Sequence, residues 1–400
     1  MAPAKGRLAK LFRRPQPVPM NSFDQAHVYL PGKYLAVACI SFCFGIVGCG
    51  GGSTAGQGQN PPPPTFTTID APGAGTASGQ GTYALRINDA GETAGYFIDT
   101  NGAGHGFIQN SAGLVTTIDA PGAGTTQGLG TVVDGLNASG ETAGYFIDSQ
   151  DLEHSFVRDA SGIITTFDPA GTSGAQSIGD DGTVAGGYVD ANGAHGYLRA
   201  PDGAFTTFDP TGDPSQVEIV VPNRINSNGS VAGTYTDTSG TFHGFSRDSS
   251  GNITILDAPG AGTASGEGTE IVDMNTGGVI VGGINIGVVN GVGTTHSLMR
   301  SATGTYTIFD PPAADGVSSF AEGINASGEI TGTYRDATLV RHGYLEQPGG
   351  TFVSFDDPNA AQLPLSGVNV GTTALGINAS GAVVGFYSDS AGVRHGFIRQ

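Results

Sequence analysis

YALRINDAGETAGYFIDTNGAGHGFIQNSAGLVTTID, residues 83–119, is the stretch of this 400-residue chain that decides its fold. It contains four runs of residues that favour β-strands, at 83–88, 92–99, 105–109 and 114–119. A turn rich in Gly, Asn and Asp separates each run from the next. No run has the apolar spacing of an amphipathic helix. Four short strands joined by tight turns predict one antiparallel four-stranded sheet.

The same pattern recurs along the chain, and each copy contains a histidine followed by Gly or Ser and then by Phe, Tyr or Leu. Six of these histidines are followed by an aspartate 14 residues later: His105/Asp119, His154/Asp168, His195/Asp209, His243/Asp257, His296/Asp310 and His342/Asp356. The seventh, His395, has no aspartate after it, and Asp70 has no such histidine before it. The repeat region therefore has half a unit at each end.

Half-units at both ends are typical of a β-propeller whose last blade is built from the two termini. We predict an all-β protein, a seven-bladed β-propeller of four-stranded antiparallel blades. Strand 65–70 is expected to close the ring by pairing with the C-terminal strands of the last blade. The rival architecture is an open solenoid, which needs no matching half-units.

The turn between the first two strands of a unit is also regular. It reads Asn-x-x-Gly in six units, at Asn88, Asn137, Asn226, Asn275, Asn325 and Asn378. The third unit has Gly179 in the asparagine position. Such turns favour tight hairpins.

The repeats resemble those of the bacterial extracellular proteins that are named for a His-Ala-Phe motif. The motif stands here as His105-Gly106-Phe107, His243-Gly244-Phe245 and His395-Gly396-Phe397, with Gly in place of Ala. His154-Ser155-Phe156 and His296-Ser297-Leu298 depart further from it. The resemblance covers residues 65–400. It implies secretion and a repeat fold, and it implies no particular activity.

Charge is distributed unevenly between the two ends of the chain. Six of the 16 basic residues and only one of the 35 acidic residues lie in residues 1–48. The remainder has ten arginines, no lysine and 34 acidic residues, a formal net charge of −24. So acidic a domain repels nucleic acids and anionic membranes. Without lysine it contains neither a Schiff-base enzyme nor a P-loop.

Residues 1–48 are predicted to be an export signal, with Met20 as an alternative start. The apolar run 34–47 is too short to cross a membrane and ends in Ile46-Val47-Gly48-Cys49. This sequence resembles a bacterial lipobox, which implies lipidation of Cys49, with Ile46 where Leu is usual. The alternative is a plain cleaved signal peptide. Cys39 and Cys43 lie in the removed part, so no disulfide is expected in the mature chain.

Three segments are therefore predicted: 1–48 as the leader, 49–64 as a lipidated cysteine with a Gly/Pro-rich tether, and 65–400 as the propeller. The resemblance to lipoproteins implies an exported protein of the outer membrane or cell surface, or otherwise a secreted one. Its only contact with the membrane would be the lipid anchor.

Insertions in the repeats are expected on one face, which we call the variable face. It comprises the connections between blades and the loops between second and third strands, while hairpins of constant length form the opposite, constant face. The variable face also receives all seven His/Asp pairs, with His395 paired to Asp70. We interpret these pairs as structural, because third strands lie too far from the axis for the histidines to converge on one ion.

No catalytic, cofactor-binding or metal-binding residues are identified from the sequence. Asp99-Thr100-Asn101-Gly102 and 190–193 resemble half a calcium loop, and we interpret them as hairpin turns, with weak Ca²⁺ binding as the alternative. The sequence therefore favours a monomeric binding module for a glycan, a peptide or a partner protein. The alternative is an extracellular polysaccharide or glycopeptide lyase or hydrolase that uses a group near the axis. A third hypothesis is a purely structural spacer of the cell envelope.

Overall fold

A computed structural model describes residues 64–289, 292–314, 318–363 and 370–400. Thr65–Gln400 form one compact unit. The predicted leader, Cys49 and nearly all of the tether lie outside the described residues. Within those residues, no helix is long and apolar enough to span a bilayer. In the part of the chain that the structure describes, the secondary structure consists of strands and two short 3₁₀ helices, Pro214–Gln216 and Pro312–Ala314.

The strands pair in antiparallel sets of four. The first strands are β2 (Gly81–Ile87), β6 (Gly130–Leu136), β10 (Thr172–Ile178), β14 (Val217–Ile225), β18 (Gly268–Met274), β22 (Ser318–Ile324) and β26 (Gly371–Ile377). The second strands are β3 (Thr93–Ile98), β7 (Thr142–Ile147), β11 (Val184–Asp190), β15 (Val231–Asp237), β19 (Ile280–Val289), β23 (Ile330–Arg335) and β27 (Val383–Ser388).

The outer half of each set is equally regular. The third strands are β4 (Gly104–Gln109), β8 (Glu153–Arg158), β12 (Gly193–Arg199), β16 (Phe242–Arg247), β20 (Val292–Arg300), β24 (Arg341–Gln347) and β28 (Arg394–Arg399). The fourth strands are β5 (Val115–Ile118), β9 (Ile164–Phe167), β13 (Phe205–Phe208), β17 (Ile253–Ile255), β21 (Tyr306–Phe309) and β25 (Thr351–Phe355), and β1 (Phe66–Ile69) takes this place on β28. The four runs predicted in 83–119 match the strands of the first set to within two residues.

The two chain ends meet in one sheet. β1 pairs antiparallel with β28, from Phe66 opposite Arg399 to Ile69 opposite Gly396. The backbones of Thr65 and Gln400 exchange hydrogen bonds of 2.9 and 3.0 Å beyond that register. Ile69 is fully buried. The N-terminal strand therefore completes the sheet begun by the last three strands.

Hydrophobic residues pack between neighbouring sets. The third residue of each histidine motif is fully buried there: Phe107, Phe156, Tyr197, Phe245, Leu298, Tyr344 and Phe397. The middle residue must be small because the next set approaches closely. A Cβ on Gly244, for example, would lie 2.6 Å from the Ile271 side chain. The motif thus places one histidine at the edge of the sheet and one large apolar or aromatic residue in the core.

The first strands contact one another in order, and β26 also contacts β2. Six asparagines of the Asn-x-x-Gly turns join successive sets, because each Nδ2 donates to a backbone carbonyl of the next turn. The acceptors are Asn137, Gly179, Asn275, Asn325, Asn378 and, from Asn378 back to the first set, Asn88, at 3.1–3.3 Å. Gly179 has no side chain to continue the series into the fourth set.

Loop lengths differ between the two faces. Every first-to-second hairpin has five residues, and the third-to-fourth hairpins have five except for 348–350. The connections between sets range from four residues (168–171) to 15 (356–370). Length variation therefore lies mainly on the variable face.

Candidate functional site

The variable face brings each of the seven histidines next to the aspartate paired with it in the sequence. The Nδ1 atoms of His105, His154, His195, His243, His296, His342 and His395 lie 2.6–2.9 Å from Asp119, Asp168, Asp209, Asp257, Asp310, Asp356 and Asp70. The last pair joins the two chain ends. Each contact ties the start of a third strand to the end of the fourth strand beside it.

A second aspartate faces Nε2 in six of these units. It ends the second strand or begins the loop after it, and the distances are 3.2–3.7 Å for Asp99, Asp148, Asp190, Asp237, Asp336 and Asp389. An aromatic ring of the second strand stacks on each imidazole with ring centres 4.7–5.0 Å apart. We call this unit of two carboxylates, one imidazole and one aromatic ring the histidine clamp.

The fifth set departs from the histidine clamp. The residue opposite His296 on β19 is Ile284, so no aromatic ring stacks there. The position four residues after the second-strand glycine, which is aspartate in the six clamps, is Ile286. His296 keeps its contact with Asp310. The fifth set thus has the histidine and its fourth-strand aspartate, but neither the aromatic ring nor the second aspartate.

The electrostatics of the clamps at His243 and His342 favour a charged imidazole. The hydrogen bond to Asp257 raises the pKa of His243 above its ordinary value, and Asp237 acts in the same direction. Burial opposes the charged form of His342, but Asp356 and Asp336 outweigh it and the pKa is again raised. Hydrogen bonds from Leu152 and Gln150 lower the pKa of Asp148. Ionised carboxylates on both sides of an imidazolium are stabilising.

The clamps are separate from one another. Across the described ranges, no three or more His, Cys, Asp or Glu side chains are grouped so that they could hold a metal ion. The turn at Asp99 uses its carboxylate internally, since Oδ1 accepts hydrogen bonds from the amides of Asn101 and Ala103. Asp190 accepts from the amide of Asn192 in the same way. These contacts describe hairpin turns that also orient a carboxylate toward a histidine.

Two buried hydroxyl networks explain the two Ser-containing motifs. Ser297 Oγ lies 2.7 Å from Ser319 Oγ and 2.9 Å from the Tyr344 hydroxyl, and Ser319 donates to Asp310 at 2.6 Å. Ser155, Ser173, Tyr197 and Asp168 repeat this arrangement. Tyrosine replaces phenylalanine only where the preceding set has serine in its motif, so each buried hydroxyl has a partner.

A second group of polar residues lies on the first strands, at their register shifts. Each first strand shifts its pairing with the second strand at the same point, leaving one residue unpaired, or two in β14: Leu85, Asp134, Gln176, Pro222 with Asn223, Val272, Glu322 and Leu375. Such bulges re-aim side chains. In three sets the residue after the bulge contacts the next set, as the contacts of Arg86, Arg224 and Asp273 show.

Charged residues within two positions of these bulges interact electrostatically with Arg86 or Glu322, and we call them the axial cluster: Arg86, Asp134, Arg224, Glu270, Asp273 and Glu322. Arg86 Nε donates to the Asp134 carbonyl at 2.8 Å. Arg224 Nε lies 3.2 Å from an Asp273 oxygen, and Asp273 accepts from the amide of Ile324 at 3.0 Å. These contacts join the first set to the second, the fourth to the fifth and the fifth to the sixth.

The axial cluster has perturbed carboxyl groups. Burial raises the pKa of Glu270 to about 7, although a hydrogen bond from Asn285 acts against this. Burial, and then the charge of Glu270, raise the pKa of Glu322 to about 8, while Arg86 and Arg341 act against the shift. Burial also lowers the pKa of Arg86. Strongly shifted groups are candidates for binding or proton transfer.

Sequence reasoning missed the axial cluster and the second aspartates of the clamps. The second aspartates had a signal, since five of the six lie six residues before the histidine and Asp190 lies five before it. The axial cluster had no comparable signal, because its residues differ from unit to unit and interact between units that lie far apart in the sequence.

No protein-family model matches the chain, and no curated protein matches it. Among solved structures it resembles a streptogramin B lyase, with a TM-score of 0.51 and 13% identity over 84% of this chain and 97% of that chain. A catalytically inactive variant of virginiamycin B lyase from Staphylococcus aureus, determined with quinupristin, gives 0.51 and 12% over 84% and 99%. The β-propeller domain of the trilobed protease from Pyrococcus furiosus gives 0.49 and 9% over 80% and 97%. Such low identities concern the fold alone, and the all-β chain is accordingly a β-propeller.

Proposed function

We propose that this protein is an exported, surface-anchored binding module, a closed seven-bladed β-propeller that binds a glycan, a peptide or a protein partner through its variable face. Each four-stranded set would be one blade. Pairing of β1 with β28, contact between β26 and β2, and the hydrogen bond from Asn378 to Asn88 all support closure of the ring between its last and first blades.

The observation that carries a binding function is the contrast between the two faces. Hairpins of the constant face have nearly uniform length, whereas connections on the variable face vary from four to 15 residues. A fold requirement common to all blades would keep both sets of loops alike. Loops of a repeat protein that vary on one face are typical of a surface that contacts a partner.

The variable face is also strongly acidic. Asp70, Asp119 and Asp257 have more than half of their side-chain surface exposed, at 59%, 56% and 54%. Arg341 and Arg394, which begin third strands at this face, are buried and therefore do not offset that charge at the surface. A surface of this kind favours neutral or cationic partners over nucleic acids and anionic membranes.

Export and anchoring rest on the leader, with Cys49 as the lipidated residue, and they remain part of the proposal because these residues lie outside the described ranges. The cell-surface location, the lipid anchor and the monomeric state can be tested directly. Palmitate labelling of the expressed chain should be lost in Cys49→Ser. Labelling that persists in this variant would refute lipidation at Cys49.

The alternative is a polysaccharide or glycopeptide lyase or hydrolase. One observation favours it, namely that burial raises the pKa of Glu322, a carboxyl group that also interacts electrostatically with Arg86. A general acid or base needs a pKa near the working pH. The fold likeness to lyases supports only the scaffold.

One experiment separates the two proposals. The purified full chain is incubated with a panel of bacterial and plant polysaccharides, and both retention on the polymer and release of new chain ends are measured. Retention without products supports a binding module, and new chain ends support the enzyme. Neither retention nor products across the panel would refute glycan binding and leave peptide or protein partners as the ligand class.

A further inference from the structure

A cavity of about 140 Å³ lies on the constant face, where the hairpins of the first and second sets meet. We call it the inter-set cavity. Its lining is mostly polar, and one large apolar side chain at its rim, that of Leu114, is 66% exposed. The side chains that matter here are Glu92, Asn110, Leu114 and Thr116 of the first set, and Ser139 and Arg158 of the second.

The arginine of this cavity lacks a contact that its equivalents make. Five third strands end in arginine, and in four of them the guanidinium lies 4.7–5.7 Å from the centre of an aromatic ring: Arg199 over Phe167, Arg247 over Phe208, Arg300 over Tyr306 and Arg399 over Phe355. At the boundary of the first and second sets, the fourth-strand positions that hold these rings are Ile118 and Ile164. No ring covers Arg158 among the described residues. Arg158 therefore lines a cavity where its equivalents cover a ring.

Hydrogen-bonding capacity remains on both walls of the inter-set cavity. Nη1 of Arg158 donates to the Asp159 carbonyl at 3.3 Å, and this side chain makes no other hydrogen bond to a residue that the structure describes. Glu92 Oε2 accepts from Asn88 Nδ2 at 2.8 Å, and no described residue donates to Glu92 Oε1. Within the described ranges, Arg158 and Glu92 form no ion pair with each other. Since a guanidinium has five N–H donors, donors on one wall and an acceptor on the other are available to a ligand.

We propose that the inter-set cavity binds one neutral sugar ring, such as the terminal residue of a glycan. Its volume is close to the roughly 150 Å³ that holds a single six-membered ring in a protein interior. The hydroxyl groups of a pyranose both donate and accept, so they match Glu92 Oε1 and the N–H groups of Arg158 together. The C–H face of the ring would pack on the exposed side chain of Leu114. This inference goes beyond the proposed function, because the cavity lies on the face opposite to the variable face.

The chemistry of the lining disfavours other small ligands. An apolar ring would leave the Glu92 carboxylate and the Arg158 guanidinium without partners, which costs free energy. An anion would meet Glu92 and a domain with a formal net charge of −24. The ammonium group of an amino acid has three donors, whereas Glu92 has one oxygen to spare. Hydroxyl groups need only single hydrogen bonds, which these two side chains and the hydroxyls of Thr116 and Ser139 supply.

The first test is saturation-transfer NMR of the full chain with four neutral probes, the methyl glycosides of glucose, galactose, mannose and fucose. Three comparison probes represent the rival ligands: cyclohexanol for an apolar ring, glucuronate for an anion and alanine for a zwitterion. We expect at least one neutral glycoside to bind with a dissociation constant on the order of 1 mM, and more tightly than every comparison probe. The inference is overturned if no glycoside binds, or if a comparison probe binds as tightly as the best glycoside.

The site variants are Glu92→Gln and Arg158→Gln, and the next boundary between sets supplies a matched control for each. Glu141→Gln changes the equivalent glutamate, which also accepts a hydrogen bond from the asparagine of its turn. Arg199→Gln changes the equivalent arginine, which covers a ring. We expect the site variants to weaken glycoside binding about fivefold or more and the controls to weaken it less than about twofold. Equal effects of site and control variants would place the sugar elsewhere and overturn the inference.

A space-filling variant keeps the test decisive if the charge variants disturb folding. Thr116→Trp introduces an indole into the inter-set cavity from an exposed position of β5, and Thr165→Trp makes the same change on β9 as a control. We expect Thr116→Trp to abolish glycoside binding at an unchanged melting temperature, and Thr165→Trp to leave binding intact. Glycoside binding that survives in Thr116→Trp would contradict the site.

The two faces can be tested separately. If the intact chain retains a polysaccharide although no glycoside binds, this inference fails and the proposed function of the variable face stands. If glycosides bind and Thr116→Trp abolishes polysaccharide retention as well, the cavity stands and the variable face is not the surface that holds the polysaccharide.

Discussion

Closure of the ring by the N-terminal strand gives the most direct test of the architecture. Deleting residues 61–70 removes β1, its backbone pairing with β28 and the contact of Asp70 with His395. It also exposes Phe397, which is fully buried and lies 5.9 Å from the Phe66 ring. The shortened chain would be left with an open sheet edge.

The size of the effect follows from the burial of this strand. Loss of the fully buried Ile69 side chain costs about 2–5 kcal/mol. The partly buried Phe66 adds about 1–2 kcal/mol, and the lost backbone hydrogen bonds add about 0.5–1.5 kcal/mol each. At about 2 °C per kcal/mol, the melting temperature should fall by on the order of 10 °C.

The assay is thermal unfolding followed by circular dichroism at the β-sheet band. Deletion of residues 50–60, which leaves β1 intact, is the control and should leave the midpoint unchanged. Ile69→Ala keeps the chain length and should lower the melting temperature by about half as much as the deletion does. If the chain without residues 61–70 has the same melting temperature as the intact chain, β1 does not close the structure and the reasoning fails.

Three further predictions concern the histidine clamps, the hydroxyl networks and the asparagine series. His243→Gln should lower the melting temperature more at about pH 6 than at about pH 9. The reason is that the charged His243 side chain stabilises the folded state. This contribution is complete below the pKa of the unfolded state, about 6.5, and is lost as the pH rises through the higher pKa of the folded state. A pH-independent loss would contradict this. Ser297→Gly and Tyr344→Phe should each cost about 1 kcal/mol, and a double-mutant cycle in urea should show coupling of at least about 0.5 kcal/mol, whereas additive losses would refute the network. Gly179→Asn should raise stability by about 0.5–1.5 kcal/mol by donating to the Asn226 carbonyl, once the Asp181 carboxylate, 2.9 Å from where the new Cβ would stand, moves aside. No gain in urea unfolding would show that the Asn226 carbonyl does not accept this hydrogen bond.

The local structure could be predicted from the sequence because each unit contains its own strand and turn signals. The four runs in 83–119 and the strands of the first set agree to within two residues. Glycine eight residues after the histidine has a positive φ at Gly113 (85°) and Gly304 (95°), as a left-handed hairpin position requires. Those features depend on contacts within one unit, and repetition makes them visible.

Contacts between units could not be predicted in this way. Arg86 binds a residue 48 positions away, and the Asn378 side chain binds one 290 positions away. The correlation between Ser297 and Tyr344 is present in the sequence, but it links different positions of successive units. Its meaning becomes clear only when the packing between sets places the two hydroxyl groups 2.9 Å apart.

Repeated and unrepeated positions of the units meet different physical needs. A residue that recurs in every unit, such as the histidine, meets a need that every unit shares, which is to hold its own strands together. The bulge residues recur in position without recurring in type, since they include Leu85, Asp134, Gln176, Val272 and Glu322. Folding of one unit cannot require residues as different as these. They lie on the first strands, which contact one another from set to set, so each can be suited to the contacts of its own pair of sets, as Arg86 is to the Asp134 carbonyl.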